Sequence, residues 1–290
     1  MRKSIQSLIN RLIGALPERL SLRLQYFINI RSFLSLRNPK RFTEKLQWIK
    51  VYGNLELYTQ YADKYELRGY VKSVIGEHYL IPLLGVWEKF DEIPFKALPK
   101  KFVIKATHGS GYNFICLDKA ALNRREIKAV VNKWTNENYY NHSRETQYKL
   151  CKPRIICEKY IEDPSGNLKD YKFFCFNGEP VIVQLDSDRF TGHRTNLMDL
   201  NWNKLPVNYT YPNLTDEAPK PMNFDKMLEI SRKLSKPFPF VRVDLYSVKD
   251  RIYFGELTFT PGSGLYRFTP NSYDYWLGEY LDLTKYGKKS

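Results

Sequence analysis

The chain has 290 residues, 43% hydrophobic and 15% aromatic, enough for one large domain or a few lobes with a true core. A charged fraction of 27% excludes a disordered polyelectrolyte, while 46 Lys+Arg against 31 Asp+Glu leave a net charge of +15. That charge favours polyanions such as nucleotides, nucleic acid, anionic lipid or acidic glycans; it does not choose among them, and it equally suits an ordinary solvated surface.

No apolar run approaches the ~18 residues of a membrane-spanning helix. The opening stretch MRKSIQSLINRLIGALPERL has basic flanks but no long apolar centre and no clear cleavage site, so no signal peptide is expected. Within it Ile5, Leu8, Ile9, Leu12, Ile13 and Leu16 recur at helical spacing beside Arg2, Lys3, Arg11 and Arg19. Packing on the protein's own body is the simpler fate of such a helix. A peripheral contact of residues 2–19 with the inner face of a membrane is the other. Cys116, Cys151, Cys157 and Cys175 form no CxxC pair, and the histidines lack metal-ligand spacing. Reduced, buried cysteines are expected, as in a cytoplasmic protein.

Residues 1–62 read as mostly helical, broken at Pro17 and Pro39, and 63–78 as a further helix. A loop-rich stretch with Pro82, Pro94 and Pro99 follows. Strands are predicted for KFVIKA (101–106) and NFICLD (113–118) around the loop THGSGY, then a polar helix over 122–138 and a strand in RIICEKYIE (154–162). DYKFFCF (170–176) and PVIVQLD (180–186) are joined by Asn177-Gly178, the strongest short hairpin signal. The stretch 191–222 reads as loop and 224–235 as helix, with VRVDLYS (241–247) and IYFGELTF (252–259) as a last hairpin. The fold class is therefore α+β, dominated by antiparallel hairpins in its middle and end.

Chemistry concentrates in three places. In the last hairpin, alternation puts Arg242, Asp244 and Tyr246 on one face, and Ile252, Phe254, Glu256 and Thr258 on one face of the partner strand. A three-residue loop, Lys249-Asp250-Arg251, would set Asp244 opposite Glu256. Facing like charges destabilise a sheet. A Mg²⁺ ion would reverse that, since it takes one or two carboxylates plus phosphate oxygens and water; a hydrated hairpin edge is the plain alternative. Lys105 stands in an otherwise apolar strand and shares a face with Val103. The loop after it carries Gly109 and Gly111, whose backbone can approach a phosphate closely, yet it lacks the GK[ST] of a Walker loop. Third, Glu158, Lys159, Tyr160 and Ile161 run from an apolar strand into an acidic loop and can line an adenine slot, or be an ordinary strand end.

Taken in order, NPKRFTEKLQWIK, the Asp63-Lys64 pair, FVIKATHGSG, CEKYI, DYKFFCFNG, FVRVDLY and FGELTFTPGSG resemble the ATP-grasp superfamily. More closely, they resemble its TupA-like branch, associated with teichuronopeptide and bacterial surface-polysaccharide synthesis. The resemblance covers about residues 39–285. It implies an ATP-grasp fold: two α+β lobes whose antiparallel sheets grip ATP, at 63–160 with the Gly-rich loop and at 161–290 with the metal site, after a helical segment at 1–62. By that resemblance Lys64 and Lys105 hold ATP phosphates, and His108, Gly109, Ser110 and Gly111 form a mobile loop over them. Glu158, Lys159 and Ile161 contact adenine, Tyr160 lies among them, Asp170 takes the ribose-binding acidic position and Lys172 joins the nucleotide-binding set. Arg242 meets the γ-phosphate and the acyl phosphate, while Asp244 and Glu256 bind Mg²⁺. Thr258 stands where many relatives have an Asn ligand, and residues 1–62 show no βαβ pattern where many relatives have a Rossmann-like domain.

The implied reaction joins a carboxylate and an amine through an acyl phosphate. The implied substrates are an uronic acid of a bacterial capsule or surface glycan and an amino acid or short peptide. Asp186, Asp188, Arg189 and Arg194 are candidate substrate contacts or an ordinary charged loop. Two other functions compete. Asp186-Ser187-Asp188 matches the DxD of sugar-nucleotide glycosyltransferases, a common tripeptide. Basic residues among 22 tyrosines suit a nucleic-acid binder.

Overall fold

The computed structural model describes residues 16–164, 166, 168–187, 192–215 and 218–287. Residues 1–15 lie outside it, and with them most of the predicted amphipathic N-terminal helix. No described helix is long and apolar enough to cross a membrane.

Two antiparallel sheets organise the chain. The first has the order β1-β4-β2-β3, from β1 (Leu83–Trp87), β2 (Phe102–Ala106), β3 (Asn113–Cys116) and β4 (Ile155–Lys159). Along β2 the alternation is clean. Phe102 and Ile104 are fully buried with Ile127 and Val131 of the helix Arg124–Asn136. Val103 and Lys105 face the other way, as their spacing predicts.

The second sheet has the order β10-β9-β5-β6-β7, from β5 (Asp170–Phe176), β6 (Glu179–Ser187), β7 (Arg194–Met198), β9 (Phe240–Val248) and β10 (Arg251–Thr258). A short separate ladder pairs β8 (Asn208–Tyr209) with β11 (Phe268–Thr269). Asn177 (φ 53°) and Gly178 (φ 85°) turn β5 into β6 with the two left-handed residues that a type I′ hairpin needs. One face of the second sheet packs on the helix Phe224–Ser235, with Phe173 against Phe224. The other face is divided. At one end Phe174, Phe176 and Phe240 surround Phe42 of the helix Phe42–Tyr52. At the other end the strands present Asp170, Lys172, Gln184, Asp186, Arg242 and Asp244, all buried and polar.

Helix Phe42–Tyr52 thus shares the core of the C-terminal sheet. It is tied to the last helix, Ser272–Tyr280, by Lys45 Nζ donating to the carbonyls of Gly278 and Leu281, both at 2.7 Å. Three of the longer elements depart from the sequence reading. Strand β1 reads as loop in the sequence because Pro82 precedes it and it is an edge strand with a register shift between Leu83 and Gly85. Strand β7 falls within the predicted loop 191–222 because its buried residues include Thr195 and Asn196, a composition that does not read as strand. The helix Ser272–Tyr280 has no counterpart in the prediction either, its aromatic-rich sequence lacking a clean amphipathic period. The predicted helix over 63–78 is shorter, at Leu67–Val74. All four cysteines are buried and unpaired, as expected.

Candidate active site

The β9–β10 hairpin aims the acidic pair by a route different from the one read in the sequence. Val248 pairs with Arg251, so the loop holds two residues, Lys249 and Asp250, not three. Carried on regularly, that register would set Glu256 opposite Val243. A bulge between Phe254 and Glu256 inserts Gly255 and restores the Glu256–Asp244 pairing. The bulge also flips the face. Ile252 and Phe254 point into the core with Leu257, while Glu256 and Thr258 face away. The expectation that Ile252 and Phe254 share a face with Glu256 is therefore corrected.

Behind the pair lies a closed network. Arg242 donates Nε to Asp244 Oδ1 at 2.7 Å and Nη2 to Asp244 Oδ2 at 2.6 Å. Arg242 Nη2 also reaches Thr258 Oγ1 at 3.1 Å and Glu256 Oε1 at 3.4 Å, and Thr258 Oγ1 donates to Glu256 at 3.2 Å. On the neighbouring strand Lys172 donates to Asp170 and, at 3.0 Å, to Asp244 Oδ2. Burial alone would lower the Lys172 pKa, but Asp170 and Asp244 outweigh it and hold the ammonium above its usual value. Burial alone would likewise raise Asp186. Lys172, with hydrogen bonds from Gln184 (2.9 Å) and Thr195 (2.7 Å), holds that carboxyl below the usual range. Cations and carboxylates fixed against one another on rigid strands make a preorganised polar site.

The first sheet supplies the facing wall. Glu158 accepts from Lys105 Nζ at 2.6 Å and from Arg68 Nη1 at 2.8 Å. These three line a small cleft with Lys64, Leu67, Leu80, Ile156, Phe254 and Gly255, so the cleft is walled by both sheets. Lys64 Nζ donates to the carbonyl of Gly109. Burial lowers the Lys64 pKa, against the opposing pull of Glu256. In the Gly-rich loop, Ser110 and Gly111 face the larger cavity. The buried His108 ring turns away, with Nε2 against the carbonyls of Trp134 (2.9 Å) and Glu137 (3.2 Å). At the end of β4, the Lys159 amide donates to Pro82 O at 2.9 Å and its side chain is exposed; Tyr160 stacks under Lys101, and Ile161 is half-buried. Asp170, the expected ribose contact, is buried against Lys172.

Between the sheets lies a cavity of ≈ 520 Å³. Its wall includes Ser110, Gly111, Lys172, Arg242, Glu256 and Thr258 from the predicted set. It also includes residues to which the sequence assigns no role: Tyr139, Glu145, Gln184, His193, Tyr211, Thr260, Ser263 and Tyr266. Thr260 and Ser263 fall in the quoted stretch TFTPGSG, a second small-residue loop next to the acidic strand, and that is the available signal. Glu145, a single acid in a polar stretch, carries none. Of the predicted substrate contacts, Asp186 lines the cavity; Arg194 donates to Asn213 O at 2.9 Å; Asp188 and Arg189 lie outside the described residues.

Two antiparallel sheets closing on a polar cavity between them are the architecture of the ATP-grasp class of protein. Residues 44–282 match the family described as TupA-like ATPgrasp, and the chain belongs to that family. No curated protein matches the sequence. Among solved structures, D-alanine–D-alanine ligase from Bacillus anthracis is similar at 15% identity and a TM-score of 0.43, over 69% of this chain and 57% of that one. The Helicobacter pylori D-alanine–D-alanine ligase is similar at 12% identity and 0.46, over 87% of this chain and 68% of that one. The ATP-grasp ligase PsnB, solved with a minimal precursor, Mg and ADP, is similar at 9% identity and 0.38, over 75% and 57%. The chain therefore spans a little over half the length of the first ligase.

Proposed function

We propose that this protein is an ATP-dependent carboxylate–amine ligase that works with Mg²⁺ through an acyl phosphate. One observation carries the reading. Lys172, Arg242 and Glu256 of one sheet meet Ser110 and Gly111, the loop of the other sheet, around a single cavity. Family membership supports it.

Phosphoryl transfer asks chiefly for position and neutralised charge. Lys64 and Lys105 are set to hold phosphates in the cleft, and the backbone of Ser110 and Gly111 to cover them. Glu158 orients Lys105, and the stretch to Ile161, with Lys159 and Tyr160, is the side assigned to adenine. Asp170 acts through Lys172, fixing that ammonium toward the cavity. Arg242 neutralises the transferring phosphoryl group, then the acyl phosphate. Glu256 on the cavity wall would hold Mg²⁺, which prefers one or two carboxylates plus phosphate oxygens, and Asp244 on the facing strand would join it by giving up a hydrogen bond to Arg242 or Lys172. When bound, it supplies further neutralisation of the phosphate charge. Thr258 orients Glu256 by its hydrogen bond and stands as the third candidate ligand. Closure of the Gly-rich loop would exclude water from the acyl phosphate.

For substrates, the TupA-like branch points to an uronic acid of a bacterial capsule or surface polysaccharide as carboxylate and an amino acid or short peptide as amine. The test is ADP and phosphate release that requires both partners, with the product identified by mass spectrometry. Turnover of a UDP-sugar without ATP would favour the glycosyltransferase and overturn the ligase. Asp186 of the DxD match is already bonded to Gln184 and Thr195, which disfavours that alternative.

A further inference from the structure

A carboxylate with no part in the phosphate or metal reading opens onto the same cavity. Glu145 is 5% exposed and accepts a hydrogen bond from Thr260 Oγ1, which in turn accepts from Gln147 Nε2 at 2.9 Å. The nearby cation, Lys50, is bonded to Ser263 Oγ at 2.7 Å and to Ser263 O at 3.1 Å. A buried carboxylate held by the hydroxyls of Thr260 and Ser143, with Lys50 nearby, is costly to keep for the fold alone. Gln184, also on the cavity wall and 2% exposed, has a buried Oε1 without a partner among the described residues. The Gln184 carbonyl oxygen calls for an N–H donor from the cavity.

Strand geometry sets the distance to the reacting centre. Leu257 and Phe259 point into the core, so Thr258 and Thr260 share the cavity face, roughly 7 Å apart for residues two along an extended chain. Thr258 bonds Arg242 and Glu256; Thr260 bonds Glu145. The phosphoryl end and Glu145 are thus neighbours on one wall, about the span of an acyl group.

We propose that Glu145 receives the amine substrate: it binds a primary ammonium, accepts one of its protons and turns the freed nitrogen lone pair toward the acyl carbon. This rests on the ligase reading above. In the step the C–N bond forms and the C–O bond to phosphate breaks. Phosphate leaves with that electron pair and takes the second nitrogen proton. Burial raises the Glu145 pKa, against the opposing pull of Lys50 and of its hydroxyl partners, and so moves it toward the range a base at neutral pH needs. The other ionisable groups bearing on it are Glu256, Tyr139 and Tyr148. Burial raises both tyrosines, so they stay neutral at working pH.

Glu145→Gln keeps the shape and the Thr260 hydrogen bond but cannot take a proton. Two nucleophiles are compared with ATP, Mg²⁺ and an uronic acid: hydroxylamine, neutral at pH 7, and the free amino acid that the wild type ligates fastest. The variant is expected to make hydroxamate within a few-fold of wild type. It should lose amide formation by on the order of a hundredfold, and the loss should shrink as pH rises toward the amine's own pKa. Equal loss of both products in a variant that melts cooperatively, or no loss of amide formation, overturns the assignment and leaves the ligase standing. A wild type that releases no ADP with either nucleophile overturns both. If the Gln variant does not fold, Glu145→Asp carries the test: amide formation must fall more than hydroxamate formation, and equal falls overturn the proposal.

Discussion

The polar side chains of the site are not interchangeable, because each is already held by another. Glu256 is more exposed than Asp244 and takes only the long edge of the Arg242 contact, at 3.4 Å. It is therefore the carboxylate more accessible to a cation from the cavity. Glu256→Gln should leave chemical denaturation unchanged and lower ATP turnover on the order of a hundredfold or more, the scale of losing one preorganised electrostatic partner. A near-wild-type rate would remove Glu256 from the metal site. Lys105→Ala should weaken nucleotide binding on the order of tenfold or more, the worth of a charge-assisted hydrogen bond, as read by calorimetric titration. Unchanged affinity would assign Lys105 to the Glu158 ion pair alone. Lys105 and Glu256 are both legible from the sequence. A lysine in an apolar strand, and a carboxylate across a hairpin from another, are local anomalies that need no tertiary information to notice. Glu145 is not legible, because its anchor, Thr260, lies far along the chain.

At the scale of elements, the hairpin β9–β10 shows how little margin a strand allows. A one-residue slip moves every side chain to the opposite face. Here a two-residue loop alone would put Glu256 out of register, and the Gly255 bulge corrects it. A Cβ at 255 would stand 3.1 Å from the Asp244 carbonyl oxygen and 3.2 Å from the Tyr246 ring. Gly255→Val should therefore displace β10 at a cost of about 1–3 kcal/mol and reduce ATP turnover by far more than that loss of stability explains. Turnover equal to wild type in this variant would show that the bulge does not aim Glu256. The pairing of Asp244 with Glu256 is expected from the sequence, but on a wrong loop length; the bulge supplies the missing residue.

At the scale of the molecule, distant segments share one core. Thr43, at the start of helix Phe42–Tyr52, donates its amide to Asp274 Oδ1 at 2.9 Å and its hydroxyl to Asp274 Oδ2 at 2.7 Å, joining segments 231 residues apart. Burial pushes the Asp274 carboxyl up to about 6 from 3.8, outweighing those two hydrogen bonds. The folded state then holds a proton that the unfolded chain releases above about pH 4. Stability from this group is full below the unfolded pKa and is lost as pH rises through about 6, by on the order of 3 kcal/mol at most. Urea titrations of wild type and Asp274→Asn at pH 4 to 7 should show that the variant lacks this downward component. Parallel curves would mean that Asp274 stays ionised in the fold.

The sequence by itself determined the local rules: the period-2 strands, the Asn177-Gly178 turn, the buried cysteines and the ordered motifs that mark an ATP-grasp chain. Periodicity and turn chemistry depend on residues a few positions apart, so they can be read along a line. Only the tertiary structure decided that helix Phe42–Tyr52 completes the C-terminal core, that the polar strand β7 joins the second sheet, and that Glu145 lines the same cavity as Arg242 and Glu256. The helix and Glu145 depend on partners a hundred or more residues away, and β7 depends on burying polar residues beside its neighbour β6; no local pattern records which partner a residue will meet.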